Sequence, residues 1–232
     1  VEIAAEMAYY SNKFFKRGNF SCDNLKISLI SSSSSILPGL KQDLINISQK
    51  RLKDLGINVI TGIKLQEVGD GYCKFSNGTT IQHSFVIFTG GIEASTISSE
   101  IDVARNSRGQ VIVNEFMQSD KYENIFAVGD IAEIKNSNGE IMPPNVTIAR
   151  ISGTNAGINV LRLMDGRPLI KCNPKLDGIL IALGGKFAAG DIYGLLTVKG
   201  RLAYEIKKYV FSSYRRPLLK LIKKGYAKLK RL

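Results

Sequence analysis

A stretch near the middle of the chain, Asn124-Ile125-Phe126-Ala127-Val128-Gly129-Asp130, joins an apolar run to a glycine and a carboxylate. The run predicts a buried strand, and Gly-Asp closes it at the carboxyl edge, where open α/β sheets bind their ligands. Glycine there lets backbone and ligand approach closely, and aspartate supplies a fixed acceptor. The same aspartate is equally a plain turn residue, so the pair alone leaves both readings open. Downstream, Pro143-Pro144-Asn145 leads into a helix predicted to run to about residue 164.

Other chemistries find little support. Cys22, Cys73 and Cys172 are odd in number and far apart, and His83 is the single histidine, which disfavours both a disulfide scaffold and a metal centre. With 232 residues, 44% of them hydrophobic, the chain can build one large core or two small ones. No apolar run approaches the roughly 18 residues of a spanning helix. No basic-then-apolar presequence opens the chain, so a reducing, cytoplasmic-side compartment is expected.

Charge is concentrated at the end. The formal net charge is +12, and residues 199–232 carry Lys199, Arg201, Lys207, Lys208, Arg215, Arg216, Lys220, Lys223, Lys224, Lys228, Lys230 and Arg231 against Glu205 alone. On a helical wheel Leu218, Leu219, Leu221, Ile222, Tyr226, Leu229 and Leu232 share an arc of roughly 160°, with the cations opposite. Pro217 suits the first turn of that helix. Before it, Leu202, Ile206, Tyr209 and Val210 line one side of a second helix, with Arg201, Glu205, Lys208 and Ser212 on the other. An amphipathic pair of this kind fits an anionic lipid surface, a packed face against the body or a second subunit, or a phosphate backbone. No helix-turn-helix, zinc finger or aromatic RNA-reading motif supports the last, so nucleic acid is not expected as a partner.

The elements that would position Gly129 and Asp130 are those of an α/β chain. Residues 1–10 predict a helix and 24–31 a strand. After a serine-rich loop, 41–55 is a helix closed by Gly56, and 57–60 a strand. Residues 64–81 predict antiparallel β with a turn at Ser76-Asn77-Gly78-Thr79, and 84–89 a buried strand. Such an order is a Rossmann-like domain without its opening strand. No Gly-x-Gly-x-x-Gly occurs anywhere. In this fold that loop receives the pyrophosphate, so the sequence is expected to begin just past it.

Val1-Glu2-x-Ala4-x-Glu6, Ile36-Leu37-Pro38-Gly39, Phe88-Thr89-Gly90-Gly91-Ile92 and Asn124-Ile125-Phe126-Ala127-Val128-Gly129-Asp130 together resemble the two-dinucleotide-fold flavoprotein reductases. Gly178-Ile179-Leu180-Ile181-Ala182-Leu183-Gly184-Gly185-Lys186 and the basic amphipathic ending look closer still to type II NADH:quinone oxidoreductases, single-subunit peripheral membrane enzymes of respiratory chains. The resemblance implies FAD and NADH as cofactors, a membrane quinone as acceptor and the cytoplasmic face of the cell membrane as location, with a homodimer as one option. It divides the chain into an NADH-binding domain (1–94), the carboxyl-terminal part of an FAD-binding domain (95–166) and a membrane-associating region (167–232).

The resemblance also assigns roles. Asp130 would accept hydrogen bonds from the flavin ribityl chain, and Gly129 would lie against the diphosphate. Val146 and Thr147, in the first turn of the helix after Pro144, would aim amides at the flavin's pyrimidine end. Glu2 would handle a proton near the nicotinamide and flavin, the alternative being a solvated carboxylate in a first helical turn. Gly90 and Gly91 would let backbone approach the nicotinamide, or simply form a turn. Three departures stand out. Ser31 replaces the acidic residue that usually ends the second strand, leaving NADH against NADPH open. Val146-Thr147-Ile148-Ala149-Arg150-Ile151 lacks the paired glutamines of the quinone site, leaving the acceptor open. Sulfide:quinone oxidoreductases share the fold and use cysteines beside the flavin, so Cys172 is weighed as a catalytic or a structural thiol.

Overall fold

The computed structural model describes residues 1–18, 25–96 and 100–229; beyond Lys220 the only described side chain is that of Ile222. Two compact units emerge, Val1–Val86 with Asp177–Leu232, and Ile87–Leu176. The sequence suggested boundaries at 94/95 and 166/167.

In the first unit α1 (Glu2–Gly18), β1 (Ser28–Ser31), α2 (Gln42–Asp54) and β2 (Asn58–Thr61) follow the expected order. β1 and β2 pair in parallel, Ser28 with Asn58 and Ser31 with Thr61, as a helical crossover requires. α2 forms because Leu44, Ile45, Ser48 and Leu52 recur on one face and are all buried. Gly56, at φ +77°, ends it as predicted. β3 (Leu65–Gly69), β4 (Tyr72–Phe75) and β5 (Thr80–Gln82) make the expected antiparallel meander. Its turn is fixed by Asn77, whose Oδ1 accepts the Thr79 N–H at 3.0 Å.

β8 (Gly178–Ala182), β9 (Ala188–Ile192) and β10 (Leu196–Gly200) form an antiparallel sheet, and α4 (Arg201–Leu229) packs on it through Ala203. The 178–186 motif has a packing reason. A Cβ at Gly184 would stand 2.7 Å from the Ala5 carbonyl oxygen, and one at Gly185 2.3 Å from the Tyr9 ring. Only glycine lets α1 seat there.

The second unit holds β6 (Val111–Ile112) in parallel with β7 (Ala132–Glu133), a 3-10 turn at Gly129–Ile131, and α3 (Val146–Met164). Its core gathers Val111, Met117, Ala132, Ile134, Ile148, Ala156 and Cys172.

Four expectations need correction. Residues 84–89 form no strand, and Phe85 and Phe88 are exposed. Their composition favours β structure, but a strand exists only where a neighbour completes its ladder, and no described strand pairs with them. Residues 124–130 form no strand: 125–128 make only one isolated bridge, Phe126 to Gln118, before the 3-10 turn takes up Gly129 and Asp130. The paired ending helices are one continuous helix with Pro217 inside it. Arg215, Arg216, Leu218 and Leu219 are good helix formers, so helix continues on both sides of the one backbone bond Pro217 cannot make. Finally, α4 buries Ala203 and half-buries Tyr204 and Ile206, while Leu202 and Tyr209 face solvent.

Cys73 and Cys172 are unpaired and buried, and Cys22 lies outside the described residues. So do Asn24 at the head of the predicted first strand and Lys230, Arg231 and Leu232 of the amphipathic ending. Among the described residues no cluster of His, Cys, Asp or Glu could hold a metal, and no helix is long and apolar enough to cross a membrane.

Candidate functional site

The second unit builds its site on α3. Asn145, in extended backbone, caps the helix by accepting the Ile148 N–H on Oδ1 at 3.0 Å. Ile148, Ser152, Ala156 and Asn159 fall on one stripe and are buried. That stripe presses the first turns of α3 onto Gly129. Gly129 sits at φ +67°, and a Cβ there would lie 3.4 Å from the Ala149 Cβ. Its N–H donates to Ser152 Oγ at 3.1 Å, while the Ser152 hydroxyl donates back to Ile148 O at 2.8 Å. Gln110 pins the other side, its Nε2 donating to Asp130 O at 3.0 Å.

The backbone of the Gly-Asp turn is therefore held from both sides, and the Asp130 side chain is not. Its carboxylate is exposed and makes no hydrogen bond or ion pair among the described residues. Glu133, three residues on, is the contrast. Asn106 donates to it at 2.9 Å and Lys135 pairs with it, and the Asn106 bond leads in holding its carboxyl below the ordinary range. Val146 is exposed and Thr147 half-buried in the first turn of α3. First-turn amides have no partner within a helix, and the macrodipole makes that end attractive to negative charge. A rigid turn with an available carboxylate beside such an end can grip a polyhydroxylated, anionic ligand.

The structure thus sets the Gly129–Asp130 turn against α3 at Ala149 and Ser152, one to two turns from Val146 and Thr147 at the start of that helix. Gly90 and Gly91 belong to the same unit, in an exposed loop whose end is tied by the Ala94 N–H to Arg108 O at 3.0 Å. Glu2 belongs to the first unit. Its Oε1 accepts the Ala182 N–H and pairs with Lys207 Nζ, each at 2.7 Å, and Lys207 also donates to Leu180 O. The carboxylate clasps α1 to β8 and α4. Ser31 ends β1 and accepts the Ser33 N–H on Oγ at 3.3 Å. Ser152 and Gln110 were missed. A serine in an apolar helical stripe signals a buried bond, whereas nothing around Gln110 distinguishes it.

Cys172 is 5% exposed in the second core, its N–H donating to Glu115 O at 2.6 Å. Burial pushes its thiol above the ordinary range. Thiolate, the reactive form, is thereby disfavoured.

A parallel β–α–β arrangement in one unit and a Gly-Asp turn under a helix N-terminus in the other are features of dinucleotide-binding α/β folds. Residues 2–153 match the sequence profile of pyridine nucleotide-disulphide oxidoreductases, and the chain belongs to that family. It is 28% identical over 213 residues to a type II NADH:quinone oxidoreductase of Haemophilus influenzae, across 88% of this chain and 48% of the relative. Its fold is similar to that of NDH2 from Plasmodium falciparum, solved in complex with NADH, at TM-score 0.74 and 17% identity over 91% of this chain and 59% of that one. It is also similar to the sulfide:quinone oxidoreductase of Aquifex aeolicus, at TM-score 0.69 and 17% identity over 92% and 53%. The chain spans about half the length of the curated relatives it matches.

Proposed function

We propose that these residues serve an FAD-dependent NADH:quinone oxidoreductase of the type II kind, held peripherally at the cytoplasmic face of the cell membrane. Residues 1–94 contribute to binding NADH, 95–166 to binding FAD, and 167–232 to membrane association, with 199–232 meeting anionic lipids. When bound, FAD supplies the redox chemistry, taking hydride from NADH and passing electrons to quinone.

The observation that carries this reading is the Gly129-Asp130 turn, fixed by Ser152 and Gln110 and set under the N-terminus of α3. Gly129 offers bare backbone at φ +67°, a conformation strained for any side chain, and this suits close contact with a diphosphate. The Asp130 carboxylate accepts hydroxyl protons of the ribityl chain. The first turn of α3, at Val146 and Thr147, favours negative charge and so lowers the cost of loading electrons nearby. The exposed Leu218, Leu219 and Ile222, with Arg215, Arg216 and Lys220 around them, support lipid contact by α4.

Donor choice tests the reading against a sulfide oxidase. In the enzyme containing these residues, NADH is expected to reduce a water-soluble quinone, and Cys172→Ser to change that rate by less than about twofold, because a buried thiol of raised pKa touches no reacting atom. Sulfide-driven reduction that collapses in Cys172→Ser would replace this assignment with the other.

A further inference from the structure

The β9–β10 hairpin turns on Tyr193 and Gly194, both at positive φ (54° and 70°), with the Leu195 N–H donating to Ile192 O at 3.0 Å. Two successive left-handed residues make a type I′ turn, whose first position favours Asn, Asp or Gly. Tyrosine there carries a backbone penalty that the turn itself does not explain. Tyr193 is 67% exposed, Leu195 90% and Leu196 58%. The tip is nonetheless firmly mounted. Tyr193 N–H donates to Asp177 O at 2.7 Å, and Lys41 pairs with Asp191 at 3.2 Å and donates to Gly194 O.

Register shows where this tip lies relative to α4. Ala182, Ala188 and Gly200 sit at the open end of the sheet; Gly178, Ile192 and Leu196 sit at the turn end. α4 leaves the open end at Arg201 and buries Ala203 against Ala188 and Val198. Lys207 then reaches Leu180 O, opposite Gly190 and halfway to the turn. At about 1.5 Å per helical residue against about 3.3 Å per strand residue, α4 draws level with the turn near residue 212. Beyond that point Leu218, Leu219 and Ile222 are exposed, as are Arg215, Arg216 and Lys220. Strained aromatic, bare leucines and a cationic, apolar half-helix share one end of the unit.

We infer that residues 193–196 are a second lipid-contacting element, Tyr193, Leu195 and Leu196 entering the interfacial layer of an anionic bilayer beside distal α4. The inference rests on the membrane reading of 199–232. Tyrosine is suited to the headgroup level, the leucines to the acyl boundary, and Arg215, Arg216 and Lys220 to anionic headgroups.

The chain contains no tryptophan, so Leu195→Trp, Leu218→Trp and a control, Val68→Trp in β3, each place a single reporter in the full chain. The probe is a vesicle of phosphatidylglycerol and phosphatidylcholine with brominated acyl chains. Tryptophans at 195 and 218 are expected to shift to shorter wavelength and be quenched about twofold or more, as for a side chain ~5–10 Å into the boundary, with no change at 68. Quenching at 218 but not 195 overturns the second element and leaves the α4 reading intact; quenching at neither overturns both. A shift at 195 that follows protein concentration without lipid assigns the tip to a second copy and overturns the lipid assignment. Tyr193→Asn, which suits the turn better, is expected to fold with an unchanged or higher Tm and to bind the vesicles about tenfold less tightly. Unweakened binding by this variant would contradict the role given to the aromatic ring.

Discussion

Replacing Gly129 by valine is expected to destabilise the second unit by about 3–4 kcal/mol and to cost about 100-fold or more in flavin retention. A left-handed backbone costs an L-residue about 1–2 kcal/mol, and more when the side chain is β-branched. At φ +67° the new Cβ alone meets the Ala149 Cβ at 3.4 Å, so the γ-methyls push on α3. That push strains the Gly129–Ser152 bond, worth about 1 kcal/mol net. Hydrogen exchange of the α3 amides reads the stability loss without treating two units as one transition. Gly129→Asn, which tolerates the left-handed region, should retain more of both properties. A valine variant with wild-type exchange and full flavin would mean that the turn is not seated against α3 as described.

Asn159→Leu is expected to cost more stability still, about 3–5 kcal/mol, despite keeping the side chain's branched shape and heavy-atom count. Asn159 is fully buried. Its Oδ1 accepts the Ile170 N–H at 2.8 Å, and its Nδ2 donates to Ile170 O at 2.9 Å and Phe116 O at 3.1 Å. Leucine leaves these backbone groups without the partner, at about 1–3 kcal/mol for each that stays buried. The loss is a large fraction of an ordinary domain's 5–15 kcal/mol. The urea midpoint of the second unit should fall accordingly, and Asn159→Gln should not rescue it because the longer side chain has no room. An unchanged midpoint would show that water replaces the amide there.

What the sequence made legible was local chemistry. α2 could be placed because Leu44, Ile45 and Leu52 repeat at helical spacing and Gly56 must leave right-handed geometry. The Ser76–Thr79 turn followed from Asn77-Gly78, whereas a shared site for Gly129-Asp130 and the helix after Pro144 came only from the family resemblance. Long-range partners were not legible. Glu2 binds Lys207, more than two hundred positions away, and nothing near either residue announces it. Ser152, Gln110 and Asn159 act through bonds to backbone that only the tertiary structure brings within reach. Residues 84–89 show the reverse failure. Their aromatic and β-branched content states a preference for strand, but pairing decides, and Phe85 and Phe88 remain in solvent.

Flavin content of the enzyme containing these residues, with Asp130 as wild type or alanine, tests the central claim most directly. The Asp130 side chain makes no described hydrogen bond or ion pair and the Gln110 bond is to its backbone oxygen, so the substitution should leave helical content and α3 exchange unchanged. Losing a charged acceptor from ligand hydroxyls is worth about 1.5–3 kcal/mol, and FAD should be retained about 10- to 100-fold less tightly. An alanine variant that keeps FAD as tightly as wild type would contradict the assignment of the Gly129-Asp130 turn as the flavin's seat.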